Sequence, residues 1–144
     1  MIRLILILIL LLPGAGFAAN KAYGDIVITE VVSVYDADTF RVNIPGWPDI
    51  IGLRAPVRVL GIDAPEIRGK CESEKVAAKV ARQFTVDMLA NCKKIELRNI
   101  KRGKYFRILA DVYIDDQSLS EALIESGHAR PYDGGTRSGW CAVQ

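Results

Sequence analysis

The sequence predicts an α+β fold, mainly a five-stranded β barrel with two helices, preceded by a cleaved signal peptide. Three observations support this prediction. The 144-residue chain begins with an apolar run, five later segments have strand character, and a helical segment separates the third strand from the fourth. That order of elements is typical of a small closed barrel of the OB type. An open five-stranded sheet with two helices fits the same pattern and is the alternative.

The N-terminal segment has the pattern of a secretory signal. A basic start at Arg3 precedes a Leu/Ile run over residues 4–12, and small residues lead to a cleavage site after Ala18. About nine apolar residues are too few to cross the roughly 30 Å hydrocarbon core of a membrane. We therefore expect removal of residues 1–18 and one domain over residues 19–144. We also expect export to the periplasm or secretion, with no stable membrane association afterwards.

The first three strands follow from local patterning. Residues 25–34 are rich in β-branched side chains, and residues 39–44 alternate apolar with polar positions, as in a half-buried strand. Prolines and glycines punctuate residues 45–56, which predicts a loop or a bulged hairpin connection. The third strand is predicted at residues 56–61.

Segment 72–89 has the periodicity of an amphipathic helix. Its apolar residues predict one buried face: large side chains recur every four positions at Val76, Val80, Phe84 and Met88, with Ala77, Ala81 and Leu89 beside them. Residues 93–100 and 104–114 then predict the fourth and fifth strands, joined by a short basic turn. A capping box that begins at Ser118 predicts the start of the second helix, and Gly127 predicts its end.

Six polar residues that strand patterning does not explain mark a candidate site. They are Asp36, Asp38, Arg58, Asp63, Glu66 and Arg107. Without the signal peptide, basic and acidic residues are nearly balanced, so binding of a polyanion would depend on such local clusters. Each residue alone has an ordinary explanation: aspartates form turns, strand arginines face outward, and a glutamate favours a helix N-terminus.

As a set, these residues match the chemistry of phosphodiester hydrolysis. Aspartates at two strand ends can hold a hard divalent cation such as calcium. A nearby glutamate can accept a proton from water, and two arginines can hold phosphoryl oxygens. The only histidine, His128, lies beside a predicted helix end and is interpreted as structural. No catalytic triad competes with the phosphodiesterase interpretation.

Three cysteines, Cys71, Cys92 and Cys141, allow at most one internal disulfide. Cys71 and Cys92 flank the predicted helix, which is about 27 Å long at about 1.5 Å per residue. A disulfide needs Cα atoms within about 7 Å of one another. Cys141 is therefore expected to pair with Cys71 or with Cys92, or no pair forms.

Four segments, in this order, resemble the staphylococcal nuclease (thermonuclease) family: VYDADTF, VRVLGIDAPE, GKYFRILADVY and EALIESGHARPY. The resemblance runs from about Val27 to Tyr132. It implies an OB barrel and a calcium-dependent endonuclease that cleaves DNA and RNA with little sequence specificity and leaves 3′-phosphates. Phosphate clamping beside tyrosines suits single-stranded or unpaired substrate, and we expect a monomer.

The resemblance also assigns roles to individual residues. Asp38, Asp63 and the backbone carbonyl of Ala64 would bind calcium, with Asp36 and Thr39 supporting that site. The general base would be Glu66, and the two catalytic arginines would be Arg58 and Arg107. Residues around the terminal phosphate and nucleotide would be Lys104, Tyr105 and Tyr132.

The resemblance is weakest after Tyr132. Where the type member has a third helix, this sequence has DGGTRSGWC. We expect Cys141 to pin this tail, with Cys71 as the favoured partner. Two other functions are alternatives. A non-catalytic OB-fold module of the cell envelope would bind nucleic acid without calcium, and a disulfide-held structural domain would leave the strand arginines unexplained.

Overall fold

Nine strands and three helices form within residues 22–141, which are the residues that the computed structural model describes. The strands are β1 Ile26–Ile28, β2 Glu30–Asp36, β3 Thr39–Asn43, β4 Ala55–Val59, β5 Ile62–Asp63, β6 Ile95–Arg102, β7 Ile108–Ile114, β8 Gln117–Ser118 and β9 Arg130–Pro131. The helices are α1 Asp49–Gly52, α2 Glu72–Ala90 and α3 Leu119–Glu125. The predicted signal peptide lies outside the described residues. No helix in the described part of the chain is long and apolar enough to span a membrane.

The main sheet is curled like a barrel. Its strands follow the order β1-β6-β7-β4-β3-β2, and β8 pairs with β7. The edge strands β1 and β2 are separated only by Thr29, so one continuous segment of chain serves both edges. Two residues span at most about 7 Å of extended chain, so the two edges lie close together at this point. The curled sheet with its helices confirms the predicted OB-type α+β fold.

The barrel interior is filled by the alternate positions of its strands. In β4 and β7, buried and partly buried residues alternate, as a strand with one face toward a core requires. Leu119 and Leu123 of α3 are fully buried in the same core. Burial of each such side chain contributes roughly 1.5–3 kcal/mol to folding. This core holds the strand ends that carry the candidate site.

Two connections differ from the sequence-based expectation. The segment predicted as a loop or hairpin connection, residues 45–56, contains the short helix α1, so residues 22–141 form three helices rather than two. The predicted fifth strand begins four residues late, at Ile108, because Tyr105 and Phe106 have φ values of 56° and 58°. Positive φ is incompatible with an extended strand, so Lys104–Phe106 forms a 3-10 turn instead.

The buried face of α2 also differs from the predicted one in its first half. Val76 and Val80 are 52% and 53% exposed, whereas Ala78, Ala81 and Thr85 are buried. Small side chains let the helix approach the sheet closely, and larger side chains at those positions would force it away. Phe84 and Met88 pack against the core, and Leu89 is buried, so the predicted face is confirmed in its second half. Only Val76 and Val80, in its first half, lie outside the buried face.

Cys71 and Cys141 form a disulfide, and Cys92 is free. Cys71 is the residue that precedes α2, so the bond ties the C-terminal tail to the start of this helix. The two cysteines are 70 positions apart in sequence. Closing a loop of that length restricts the unfolded chain strongly.

We expect the double variant Cys71→Ser/Cys141→Ser to lose about 4 kcal/mol of unfolding free energy, the value that chain entropy gives for this loop. Urea denaturation of the oxidised parent and of the variant measures the difference. Cys92→Ser is the matched control, because Cys92 is half-buried and outside the bond. A double variant as stable as the parent would show that the tail is not fixed by this bond in solution.

Candidate active site

Acidic residues of the candidate site come together at the ends of β2 and β5. Asp36 is the last residue of β2, Asp38 lies in the turn to β3, and Asp63 ends β5. Arg58 lies in β4 directly opposite Thr39, the first residue of β3. These strand ends bring the predicted carboxylates and one predicted arginine to one side of the barrel.

The turn that carries Asp38 is held from both sides. Thr85 of α2 donates its hydroxyl hydrogen bond to the carbonyl oxygen of Ala37 at 2.8 Å, and the amide of Val59 donates to the carbonyl oxygen of Asp38 at 2.9 Å. The Thr39 hydroxyl donates to Oδ1 of Asp38 at 2.8 Å. The backbone and one carboxylate oxygen of Asp38 are therefore fixed before any ligand binds.

Asp38 is almost fully buried, with 3% of its surface exposed. Burial raises the pKa of its carboxyl group, although the Arg58 guanidinium acts in the opposite direction. Nη2 of Arg58 lies 2.9 Å from Oδ2 of Asp38 and forms an ion pair with it, although the two groups do not have hydrogen-bond geometry. A buried carboxylate in its charged form needs a positive charge nearby, and Arg58 supplies that charge here.

The loop that carries Glu66 is fixed by two other carboxylates. Oδ1 of Asp36 accepts a hydrogen bond from the Ile67 amide at 3.0 Å, and burial raises the pKa of Asp36 in spite of this bond. Glu74, in the first turn of α2, accepts from the amides of Lys70 at 2.9 Å and Glu66 at 3.5 Å. The sequence analysis missed Glu74, although a glutamate at the third helical position typically reaches back to preceding amides.

The predicted arginines line a groove of about 800 Å³ beside this acidic cluster. Arg107 is the residue just before β7. Strand β7 runs parallel to β4, and Arg58 of β4 pairs with Leu109, which is two positions after Arg107. Nε of Arg107 is buried and has no hydrogen-bond partner within the described residues. Buried donors without acceptors are costly, and phosphoryl oxygens are the acceptors that guanidinium groups match best.

The residues predicted around the nucleotide are divided between two depressions. Lys104 and Tyr132 line the groove with the arginines. Tyr105 is 92% exposed and does not line that groove; it borders a neighbouring depression that Lys104, Arg107 and Thr39 share. The Tyr132 hydroxyl donates to the carbonyl oxygen of Gly135 at 2.8 Å. Tyr132 is therefore held by the tail, whereas Tyr105 extends into solvent.

The tail contributes two site residues that the sequence analysis did not identify. Arg137 places Nε 3.3 Å from Oδ1 of Asp63 and Nη1 2.8 Å from Oε1 of Glu66. Trp140 donates its indole hydrogen bond to Oδ2 of Asp63 at 3.0 Å. The only signal in the sequence was the unexplained arginine and tryptophan just before Cys141.

The types of donor suit a hard divalent cation such as calcium, although the carboxylate oxygens of Asp38, Asp63 and Glu66 do not all lie within 4.8 Å of one another among the described residues. Asp38, Asp63 and Glu66 offer carboxylate oxygens, and the Asp38 and Asp63 side chains are buried where an uncompensated anion is unfavourable. The backbone carbonyl of Ala64 follows Asp63 directly in the chain. The cluster of Cys71, Glu74 and Cys141 is no competitor, since both cysteines are in the disulfide.

Fold and site together define a class: an OB-type barrel with a carboxylate cluster beside an arginine-lined groove suited to phosphate groups. The chain belongs to the staphylococcal nuclease homologue family, whose model matches residues 56–138. This confirms the resemblance found in the sequence. The matched region includes the predicted site residues from Arg58 onward, while Asp36, Asp38 and Thr39 precede it.

Curated relatives of the chain carry endonuclease names. It is 30% identical over 119 residues to endonuclease YncB of Bacillus subtilis (strain 168), which is 81% of this chain and 53% of that protein. It is 34% identical over 98 residues to the SPbeta prophage-derived endonuclease YokF of the same strain, and this match covers 66% of this chain and 31% of YokF. The probable endonuclease lcl3 of Pyrenophora tritici-repentis (strain Pt-1C-BFP) is 24% identical over 137 residues, and this match covers 80% of this chain and 50% of lcl3. The chain thus spans about half or less of these relatives.

Proposed function

We propose that the protein is a calcium-dependent endonuclease that hydrolyses phosphodiester bonds of DNA and RNA with little sequence specificity. The observation that carries this proposal is the position of the buried carboxylates of Asp38 and Asp63 beside a groove lined by Arg58 and Arg107, of which Arg107 has a buried nitrogen without a hydrogen-bond partner among the described residues. Membership of the staphylococcal nuclease family and the names of the relatives support it.

In the proposed mechanism, Asp38, Asp63 and the carbonyl of Ala64 hold the metal, with Asp36 and Thr39 in support. When bound, calcium supplies positive charge that polarises a phosphoryl oxygen. Glu66 accepts a proton from the water that attacks phosphorus. The bond from phosphorus to the 5′ oxygen then breaks, and the departing oxygen takes a proton from solvent water, which leaves a 3′-phosphate on one fragment and a 5′-hydroxyl group on the other.

The two arginines act on the charge that develops during this attack. A phosphoryl group gains negative charge as the fifth oxygen approaches, and guanidinium donors already in place stabilise that charge without reorganisation. Arg58 and Arg107 line the same groove from neighbouring strands, which suits contact with two oxygens of one phosphate. Nε of Arg107 has no acceptor among the described residues and is available to the phosphate, whereas Arg58 also forms an ion pair with Asp38.

We propose that the substrate is single-stranded or unpaired nucleic acid and that the protein acts as a monomer. Lys104 and Tyr132 line the groove, and the exposed ring of Tyr105, in the neighbouring depression that Lys104 also lines, offers a face on which a base can stack. Stacking needs an unpaired base, whereas it places little demand on base identity. Contacts of this kind favour single-stranded over double-stranded nucleic acid but do not distinguish between base sequences.

We also propose that the protein is exported, either to the periplasm or to the medium, after cleavage of residues 1–18. The Cys71–Cys141 disulfide supports this location, because such bonds persist in oxidising compartments and are rare in the cytosol. The pattern of the first eighteen residues supports it independently.

Asp38→Asn tests the metal assignment. The change keeps the size of the side chain and removes its charge. Loss of a residue that only orients a metal ligand weakens metal binding by about 10–100-fold, and we expect the calcium dissociation constant to rise by at least that factor when the ligand itself is changed. Calorimetric calcium titration and the calcium dependence of cleavage should shift together. Asp87→Asn is the matched control on the exposed side of α2. An unaltered titration in Asp38→Asn would place the metal elsewhere.

A further inference from the structure

The carboxylate of Asp63 is held by two donors from the C-terminal tail, one on each oxygen. Trp140 Nε1 donates to Oδ2 at 3.0 Å, while Arg137 Nε lies 3.3 Å from Oδ1. Asp63 is 6% exposed, so these tail donors form much of its polar surroundings. The two donors differ in charge and in how firmly they are held, and this difference suggests different roles.

The indole of Trp140 is fixed on several sides. The guanidinium of Arg130 lies 3.7 Å from the centre of the Trp140 ring, and Arg130 Nη2 donates to the Gly139 carbonyl at 2.9 Å. Arg130 itself is paired with Asp63 in the β5–β9 register. The next residue along the chain, Cys141, is in the disulfide. Trp140 therefore presents a rigid neutral donor to one oxygen of Asp63.

Arg137 is held more loosely and carries a full charge. Its side chain is 39% exposed, and its contacts are the carboxylates of Asp63 and Glu66 and the ring of Tyr132, whose centre is 5.4 Å away. Guanidinium groups stay protonated at any pH at which the protein is folded, so the charge cannot be removed by titration. A divalent cation entering between these carboxylates would be repelled by it.

We propose that the disulfide-closed tail is a functional part of the metal site: Trp140 positions Asp63 for the metal, and Arg137 competes with the metal for Asp63 and Glu66. The proposal rests on the proposed function, because it takes Asp63 as a metal ligand and Glu66 as the base. The indole stays on Oδ2 and keeps the carboxylate oriented, which leaves Oδ1 as the oxygen that Arg137 must release. Without metal, the proposed base is paired with a guanidinium.

This arrangement predicts opposite effects for two substitutions in the same tail. Trp140→Phe removes the hydrogen bond and keeps a ring beside Arg130, so the calcium dissociation constant should rise by about tenfold or more, as for other partners that orient metal ligands. Arg137→Gln removes the competing charge, so the dissociation constant should fall by about tenfold. A purely structural tail would give no change or losses of the same sign.

Calcium binding to the purified, oxidised protein, without substrate, is the measurement. Isothermal titration gives the dissociation constants, and terbium luminescence excited through tryptophan gives a second readout that Trp140→Phe should diminish. Trp47→Phe is the matched control for the loss of an indole, because Trp47 lies beside α1 in a depression that Asp63 does not line. Arg98→Gln is the control for the loss of a positive charge, since Arg98 lies outside the groove and stacks on Tyr113 at 3.9 Å.

The possible results distinguish failure of the tail proposal from failure of the nuclease proposal. Weaker binding in Trp140→Phe with tighter binding in Arg137→Gln, and little change in the controls, is the expected result. If the parent binds calcium and both tail variants shift its affinity in the same direction, or neither does, the tail proposal is overturned while the nuclease proposal stands. If the parent binds no calcium, both fail. Arg137 is partly exposed, so Arg137→Gln should fold even if Trp140→Phe does not.

Discussion

Glu66→Gln should reduce the rate of the cleavage step by at least about a hundredfold, the lower end of the effect of losing a general base. The amide has the size of the carboxyl group but does not accept a proton near neutral pH. The loop around it is fixed through the backbone amides of Glu66, Ile67 and Lys70, so its path does not depend on the Glu66 side chain. Single-turnover cleavage of a single-stranded oligonucleotide at saturating calcium measures this step.

Two observations must accompany that loss if Glu66 is the base. The thermal unfolding temperature should be unchanged, since the side chain is about half exposed, and saturating calcium should still be reachable. Glu72→Gln is the matched control, because its side chain is 77% exposed at the start of α2. A Glu66→Gln enzyme that cleaves at the parental rate would remove Glu66 from the mechanism.

Arg107→Ala should lower kcat/KM by about two to three powers of ten, as expected for loss of one preorganised donor to developing negative charge. Arg107 pairs with no carboxylate among the described residues, so its removal leaves no buried carboxylate without a nearby positive charge. Arg58→Ala should cost a similar factor in activity. It should also destabilise the metal-free protein, because Asp38 then loses its ion-pair partner.

The comparison of the two arginines makes the test specific. Steady-state cleavage gives kcat/KM for both variants, and urea denaturation gives their stability. Arg98→Ala is the control, since Arg98 lies on β6 with Glu96 and outside the groove. Parental activity in Arg107→Ala would mean that its partnerless nitrogen does not meet the phosphate.

The parts of the fold that could be predicted from sequence are those fixed by local pattern. The alternation in β4 and β7 depends on neighbouring residues along one strand, and it locates Arg58 at a definite place beside the barrel core. The first half of α2 depended on a long-range contact instead. Ala78 is buried while Val76 and Val80 are exposed, because the helix lies close to the sheet, and no local preference reveals how close that approach is.

The same distinction applies to the site. Asp36, Asp38 and Asp63 could be singled out because each stands at a strand end, where polar residues interrupt an apolar pattern. Arg137 and Trp140 reach Glu66 and Asp63 across 71 and 77 residues of sequence. Nothing near them in the chain specifies those partners, and the tail has no secondary structure from which a direction could be inferred. Only the folded barrel and the disulfide bring them to the carboxylates.

The most direct test of the central claim is cleavage of single-stranded DNA and RNA by the purified protein in millimolar calcium, compared with the same reaction in EDTA. The account predicts cleavage in calcium, products that end in 3′-phosphate, and no cleavage in EDTA or with Glu66→Gln. Nucleic-acid binding that is indifferent to EDTA and to Glu66→Gln, without cleavage under any condition, would contradict the account and identify the protein as a binding module.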